Sequence, residues 1–132
     1  MSEKVNGARG VVCSKCGADD WHYQKSNRGW HCRPCRSLVV KLWKHKLRAD
    51  TIEHYGGKCA CCGESEPSFL TIDHINGNGN AHRKEIGRGS VLMYKWLKKN
   101  GWPEGYQVLC WNCNCARHLY QNAGVCPHEK YK

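Results

Sequence analysis

The sequence lacks any long apolar run, and acidic residues are few. No segment approaches the ~20 consecutive apolar residues of a membrane-spanning helix, so no membrane partner is expected. Met1 to Gly10 is polar and contains glycine, which does not read as a secretory signal peptide. No low-complexity tract interrupts the chain. Eleven Asp and Glu stand against 21 Lys and Arg, a formal charge of +10 with the histidines neutral. A basic chain of this size usually meets phosphates, the simpler account being a merely soluble basic surface. At 132 residues there is material for one ordinary domain or two very small ones. Domains that small bury too little apolar surface to be secure and are commonly fastened by metal or by disulfides.

Cysteine supplies that fastening. The chain has 11 cysteines, and Cys-x-x-Cys pairs recur at Cys13/Cys16, Cys32/Cys35, Cys59/Cys62 and Cys110/Cys113. In a cytosolic protein, where thiols stay reduced, such spacing means metal rather than disulfide, and the cytoplasm is the expected location. Four thiolates per ion give two structural zinc sites, Cys13, Cys16, Cys32 and Cys35 in one, Cys59, Cys62, Cys110 and Cys113 in the other. Each site carries a net charge of −2, which leaves the whole at about +6. Cys61, Cys115 and Cys126 remain over. The first two each adjoin a ligand, so another pairing stays open, and most of the three read as inert buried thiols. Cys126 and His128 alone are too few to hold a further ion.

Between the first two knuckles, Trp21, Tyr23 and Trp30 flank the turn residues Ser26 to Gly29, which predicts a β-hairpin and hence a zinc ribbon. The domain reading is a zinc ribbon with a basic leader over residues 1–36, a basic linker helix over 37–57 and a second zinc-bound domain over 58–132. Leu38, Val39, Leu42, Trp43, Leu47 and Ile52 follow a helical period and predict an amphipathic helix from Ser37 to Tyr55, stopped by Gly56-Gly57. Its Lys41, Lys44 and Arg48 are either a solvated face or phosphate contacts. Phe69 to Ile72 reads as a strand running into Asp73-His74, Asn76 to Asn80 as a turn, Val91 to Trp96 as a helix, and Tyr106 to Leu109 as a short strand. A last helix is expected from near Cys113 to Gly124.

Asp73, His74 and Asn114 carry the chemistry. An imidazole can take a proton near neutral pH. A carboxylate and a carboxamide oxygen suit a hard divalent ion, Mg²⁺ or Mn²⁺. Together they fit hydrolysis of a phosphodiester, which needs an activated water and a stabilised phosphate. Asn114 follows a zinc ligand directly, so its position would be fixed without a large core. His118 lies four residues on and shares the helical face of Asn114. It is either a further ligand or phosphate contact, or a histidine favoured at a helix C-terminus. On a regular strand Asp73 and His74 would face opposite ways, so both can serve one site only if the strand ends or bulges there.

The combination of Cys59-x-x-Cys62, Leu70-Thr71-Ile72-Asp73-His74-Ile75 and Leu109-Cys110-x-x-Cys113-Asn114 resembles the HNH endonuclease family, with its ββα-metal fold. Within it, the zinc-knuckle subgroup similar to phage recombination endonucleases and small phage-encoded HNH proteins is the nearest in pattern. The resemblance covers residues 58–124, and the tail Val125-Cys126-Pro127-His128 is also associated with such phage proteins. It implies cleavage of DNA with one divalent ion, His74 as general base, Asp73 and Asn114 as ligands of that ion with His118 a further one, and 5′-phosphate and 3′-hydroxyl products. If the chain is phage-encoded, it would act in the host cytoplasm. The family's central Asn is missing from the strand before the second knuckle, where Gly105-Tyr106-Gln107-Val108 stands.

The resulting expectation is a small, zinc-stabilised α+β protein: an N-terminal zinc ribbon, a linking helix, and a ββα-metal domain with a second zinc site. Its partner would be DNA, gripped through Lys41, Lys44, Arg48, Arg83, Lys84 and Arg88. Double-strand cutting would require a second active site and hence a homodimer. The main alternative is a non-catalytic double-zinc regulator that binds nucleic acid. A zinc-built protein-interaction adaptor is a third reading, against which the charge argues.

Overall fold

The computed structural model describes residues 11–119 and 126–128. The chain forms two compact units, residues 1–45 and 46–132, with one long helix running from the first into the second.

In the first unit the Cys13–Cys16 knuckle is closed by the Gly17 amide, which donates to the Cys13 carbonyl at 2.7 Å. Gly17 takes φ +73°, a left-handed conformation that glycine adopts without strain. Strands β1 (Trp21–Gln24) and β2 (Gly29–Cys32) pair antiparallel, in register from Trp21 opposite Cys32 to Gln24 opposite Gly29. The expected hairpin is therefore present. One 3-10 turn, Lys25–Asn27, makes the bend, and Arg28 reverses the chain at φ 49°. Tyr23 and Trp30, directly opposite each other, meet edge to face with centroids 5.4 Å apart.

Helix α1 (Arg33–His54) begins immediately after Cys32, four residues before the predicted start at Ser37. Pro34 fits there because the first helical turn has no use for its missing N–H. The apolar face is buried only in the second half of the helix. Leu47, Thr51 and Ile52 are buried, whereas Leu38, Val39, Leu42 and Trp43 are exposed. Periodicity marks an apolar face, but burial requires a layer against it, and these four side chains stay exposed. The first unit buries only Cys13 and Cys32 among its described residues.

The second unit has a true core. After α1 come a 3-10 turn (Pro67–Phe69), β3 (Leu70–His74), α2 (Gly79–Ile86), α3 (Ser90–Lys99), β4 (Tyr106–Cys110) and α4 (Trp111–Leu119). Strands β3 and β4 pair antiparallel, from Leu70 opposite Cys110 to His74 opposite Tyr106. Leu47, Ile52, Leu70, Leu97, Val108 and Leu109 pack together, each contributing about 1.5–3 kcal/mol by its burial. Arg48 ties α1 to the start of β3 by donating to the carbonyls of Pro67 and Leu70, at 2.6 and 2.7 Å.

Several boundaries differ from the sequence reading. Phe69 belongs to the 3-10 turn, and β3 starts one residue later. Helix α2 takes in Gly79 and Asn80, read as the end of a turn, and continues through residues given no element from sequence. Helix α4 opens at Trp111, and its expected end at Gly124 lies outside the described residues. The described residues thus make a small α+β fold with two two-stranded antiparallel sheets and four α-helices. No described helix is long and apolar enough to cross a membrane.

Candidate functional site

The four thiols Cys13, Cys16, Cys32 and Cys35 gather with their sulfurs within 4.8 Å of one another, and so do Cys59, Cys62, Cys110 and Cys113. A tetrahedral zinc with Zn–S bonds near 2.3 Å sets its sulfurs about 3.8 Å apart. Sγ–Sγ distances of 3.8 Å (Cys13 to Cys35), 3.4 Å (Cys16 to Cys32) and 3.7 Å (Cys62 to Cys110) match that geometry. Both expected groups are therefore able to hold zinc.

Local electrostatics favour metal as well. The amides of Lys15 and Cys16 bring the Cys13 thiol down to about 6. Burial opposes ionisation of Cys59, but the amides of Cys62, Cys110 and Cys61 outweigh it and bring that thiol to about 6 too. Their neighbours go the other way. The Cys16 side chain, then burial, then the other thiols push Cys35 up to about 12. Crowded thiols do not all ionise unless a cation stands among them.

A third group was not anticipated. Cys61, Cys113, Cys126 and His128 also bring their ligand atoms within 4.8 Å of one another. Cys61, for which another pairing stayed open, and Cys126 are thus potential ligands, and His128 has the partners it was thought to lack. The sequence signal was weak because Cys61, Cys113 and Cys126 are far apart in the chain and share no knuckle spacing. Cys115 is exposed and belongs to none of the three groups.

Asp73, His74, Asn114 and His118 line one cleft of about 100 Å³, together with Ile72, Gly77, Gly79, Asn80, Arg83 and Met93. That space is several times what one water requires. The cleft joins the end of β3 to the first turns of α4. Asp73 and His74 both reach it because the strand stops at His74. The chain then turns back through Gly77 (φ +71°), whose amide donates to the His74 carbonyl at 3.0 Å.

Asp73 is buried. Its Oδ2 accepts from Gln107 Nε2 on the neighbouring strand at 3.0 Å and pairs with Arg117 on α4 at 3.7 Å. The Asn114 side-chain oxygen is buried without a hydrogen-bond partner. An orphaned acceptor costs about 1–3 kcal/mol, and a cation in the cleft would remove that cost. A carboxylate, a carboxamide oxygen and an imidazole are a suitable donor set for a hard divalent ion.

His74 is buried, and its Nε2 lies 2.9 Å from Nδ1 of His82 on α2. Burial first, and the His82 imidazole second, hold its pKa below the ordinary 6.5, so the ring is neutral and able to accept a proton at neutral pH. The His82 ring is in turn set edge-on against Trp96, with centroids 4.3 Å apart, and His74 packs against Tyr106. Gly79 keeps the other side of His74 open, since a Cβ there would come within 3.1 Å of His74 Nδ1. His82 and Gly79 were not singled out from sequence, because their relation to His74 depends on helix α2 folding back over the end of β3.

The six basic residues named from sequence fall in different settings. Arg83 lines the cleft and donates to Asn80 Oδ1 at 2.9 Å. Lys84 and Arg88 are exposed. In the first unit Lys41 and Lys44 share a second, open cleft with Arg33, Arg36, His22 and His45. Arg48 is occupied by the backbone carbonyls it holds. No family model, curated protein or solved structure matches this chain.

Proposed function

We propose that the chain is a metal-dependent DNA endonuclease of the HNH type, in which a zinc-fastened ββα unit hydrolyses phosphodiester bonds. The observation that supports it most is the shared cleft, where Asp73, His74, Asn114 and His118 converge from β3 and α4 although forty residues separate His74 from Asn114. Two further features fit. The strand–strand–helix order of β3, β4 and α4 matches what the resemblance implies. Gln107 braces the Asp73 carboxylate from the strand in which the family's central Asn is missing.

In this mechanism His74 accepts a proton from a water as the water oxygen attacks phosphorus. His82 holds the imidazole in place, and Gly79 leaves room beside it. Asp73, Asn114 and His118 would hold a divalent ion, Mg²⁺ or Mn²⁺, which supplies positive charge for the phosphate and the departing oxygen. The P–O bond to the 3′ oxygen breaks, that oxygen takes a proton from solvent, and the products are a 5′-phosphate and a 3′-hydroxyl. Arg83 at the cleft rim, and Lys41 and Lys44 in the basic cleft of the first unit, offer charge to the DNA backbone.

Incubating supercoiled plasmid with the protein and Mg²⁺ or Mn²⁺ tests the reading. Conversion to nicked or linear DNA by the wild type, and not by His74→Ala, is the expected result. Equal conversion by both removes His74 from the mechanism. DNA binding without cleavage by either protein would favour the regulator reading, for which the basic cleft of the first unit is sufficient.

A further inference from the structure

We infer that Cys113 Sγ bridges two zinc ions, one completed by Cys59, Cys62 and Cys110, the other by Cys61, Cys126 and His128. Cys113 is the one residue common to both groups, and each group separately has its ligand atoms within 4.8 Å of one another. Two four-coordinate ions require eight ligand positions. These residues offer seven donors, so both ions are satisfied only when one donor serves twice. A thiolate sulfur has the lone pairs to do so.

The distances around the second group agree. Cys113 Sγ lies 3.2 Å and Cys126 Sγ 3.6 Å from His128 Nδ1, while tetrahedral zinc with ordinary Zn–S and Zn–N bonds sets sulfur and nitrogen about 3.5 Å apart. Cys113 is wholly shielded from solvent, and Cys61 and Cys126 are buried. The one sulfur of Cys113 therefore stands in both groups.

Charge balance permits the second ion. With the first zinc bound, Cys113 is already a thiolate. The second zinc adds two positive charges and displaces two protons to solvent, one from Cys61 and one from Cys126, while His128 binds as the neutral ring. The net charge of the buried cluster does not change. The ion also ties residues 126–128 to α4 next to Asn114, so the tail that follows the helix fixes the helix that carries a cleft residue. None of this depends on the nuclease reading.

The test is the zinc content of the purified full chain by plasma emission spectrometry, combined with cadmium-113 NMR. Three zinc ions per chain are expected, one in the first unit and two here. Cys126→Ser and His128→Ala should each lower the count to two, while Cys115→Ser leaves it at three. In the cadmium-substituted wild type, the Cys113 β-protons should correlate with two cadmium resonances. That spectrum decides the matter even if the cysteine variants do not fold. A wild-type count of two, or a single cadmium resonance on Cys113, overturns the inference.

Discussion

The Nε2 of His74 and the Nδ1 of His82 lie 2.9 Å apart, so the candidate base at the end of β3 is oriented by a second imidazole from α2. When His74 Nε2–H donates across this contact, Nδ1 carries the lone pair beside Gly79. Removing such an orienting partner commonly costs 10- to 100-fold in activity. His82→Ala should therefore lower kcat by about 10- to 100-fold with KM for DNA unchanged. His82→Gln, whose side-chain oxygen can accept the same bond, should recover part of the loss. A rise in KM together with the fall in kcat, or no rescue, would speak for a purely structural role.

Gly79 gives a prediction of opposite sign for stability and activity. A methyl group there would press on His74 Nδ1 at 3.1 Å. The residue opens a helix and has no positive φ to protect, so alanine fits the backbone there, with a helix gain below the roughly 0.5–1 kcal/mol of an interior position. Gly79→Ala should leave the melting temperature unchanged or raised while cleavage falls about tenfold or more, because small misplacements of a reacting group are costly. Thermal melts beside plasmid assays separate the two effects.

Loss of the first zinc site alone should open the first unit and spare the second. The first buries only Cys13 and Cys32 among its described residues, whereas the second keeps an apolar core around Leu70, Leu97, Val108 and Leu109. Structural zinc contributes on the order of 10–16 kcal/mol in domains of this kind. Cys16→Ser should leave residues 11–45 open to rapid proteolysis and amide exchange while the second unit stays protected. Strong chelation should unfold both. Protection of residues 11–45 in Cys16→Ser would contradict this.

Arg48, Lys41 and Lys44 look alike in sequence and should behave differently. Arg48→Ala removes two hydrogen bonds that tie α1 to the start of β3 and should cost about 0.5–1.5 kcal/mol of stability for each, read as a lowered denaturant midpoint. Lys41→Ala and Lys44→Ala should leave stability nearly untouched. Each should weaken DNA binding at all sequences and reduce the salt slope of affinity by about one.

Tyr55 donates its hydroxyl to the Pro103 carbonyl at 2.8 Å, and burial, with Tyr106 beside it, pushes its phenol up to about 12. A group whose folded pKa is raised adds stability that is complete below its unfolded value and is lost as pH rises through the folded one. The loss should therefore fall between about pH 10, the unfolded value, and about 12. Tyr55→Phe should flatten the decline of melting temperature across that window and leave the decline at lower pH unaltered.

The parts of the fold that local chemistry dictates were legible in the sequence. Cys-x-x-Cys spacing marks the thiol clusters, and the turn residues between Tyr23 and Trp30 mark the hairpin, because both signals are short in range. The convergence of Asp73, His74, Asn114 and His118 followed from placing Asn114 beside a knuckle. What escaped depends on contacts between distant segments. Helix α2 was hidden by the glycines and asparagines of Asn76 to Asn80, which signal a turn even though Gly79 and Asn80 open the helix. Burial along the stripe from Leu38 to Ile52 was not legible, because a repeat in sequence names a face without saying what covers it. The gathering of Cys61, Cys126 and His128 around Cys113 has no local signature at all.

Both units place their second cysteine pair identically. The strand ends on the first thiol (Cys32, Cys110), and the second thiol is the third residue of the helix that follows at once (Cys35, Cys113). At the next position one helix presents Arg36 and the other Asn114. A single scaffold thus appears twice in the chain, with a cationic side chain at that place in one copy and an oxygen donor in the other. On the proposed nuclease reading, grip and cutting are separable for an engineer: new substrate preferences can be sought by rewriting the first copy while the second is left alone.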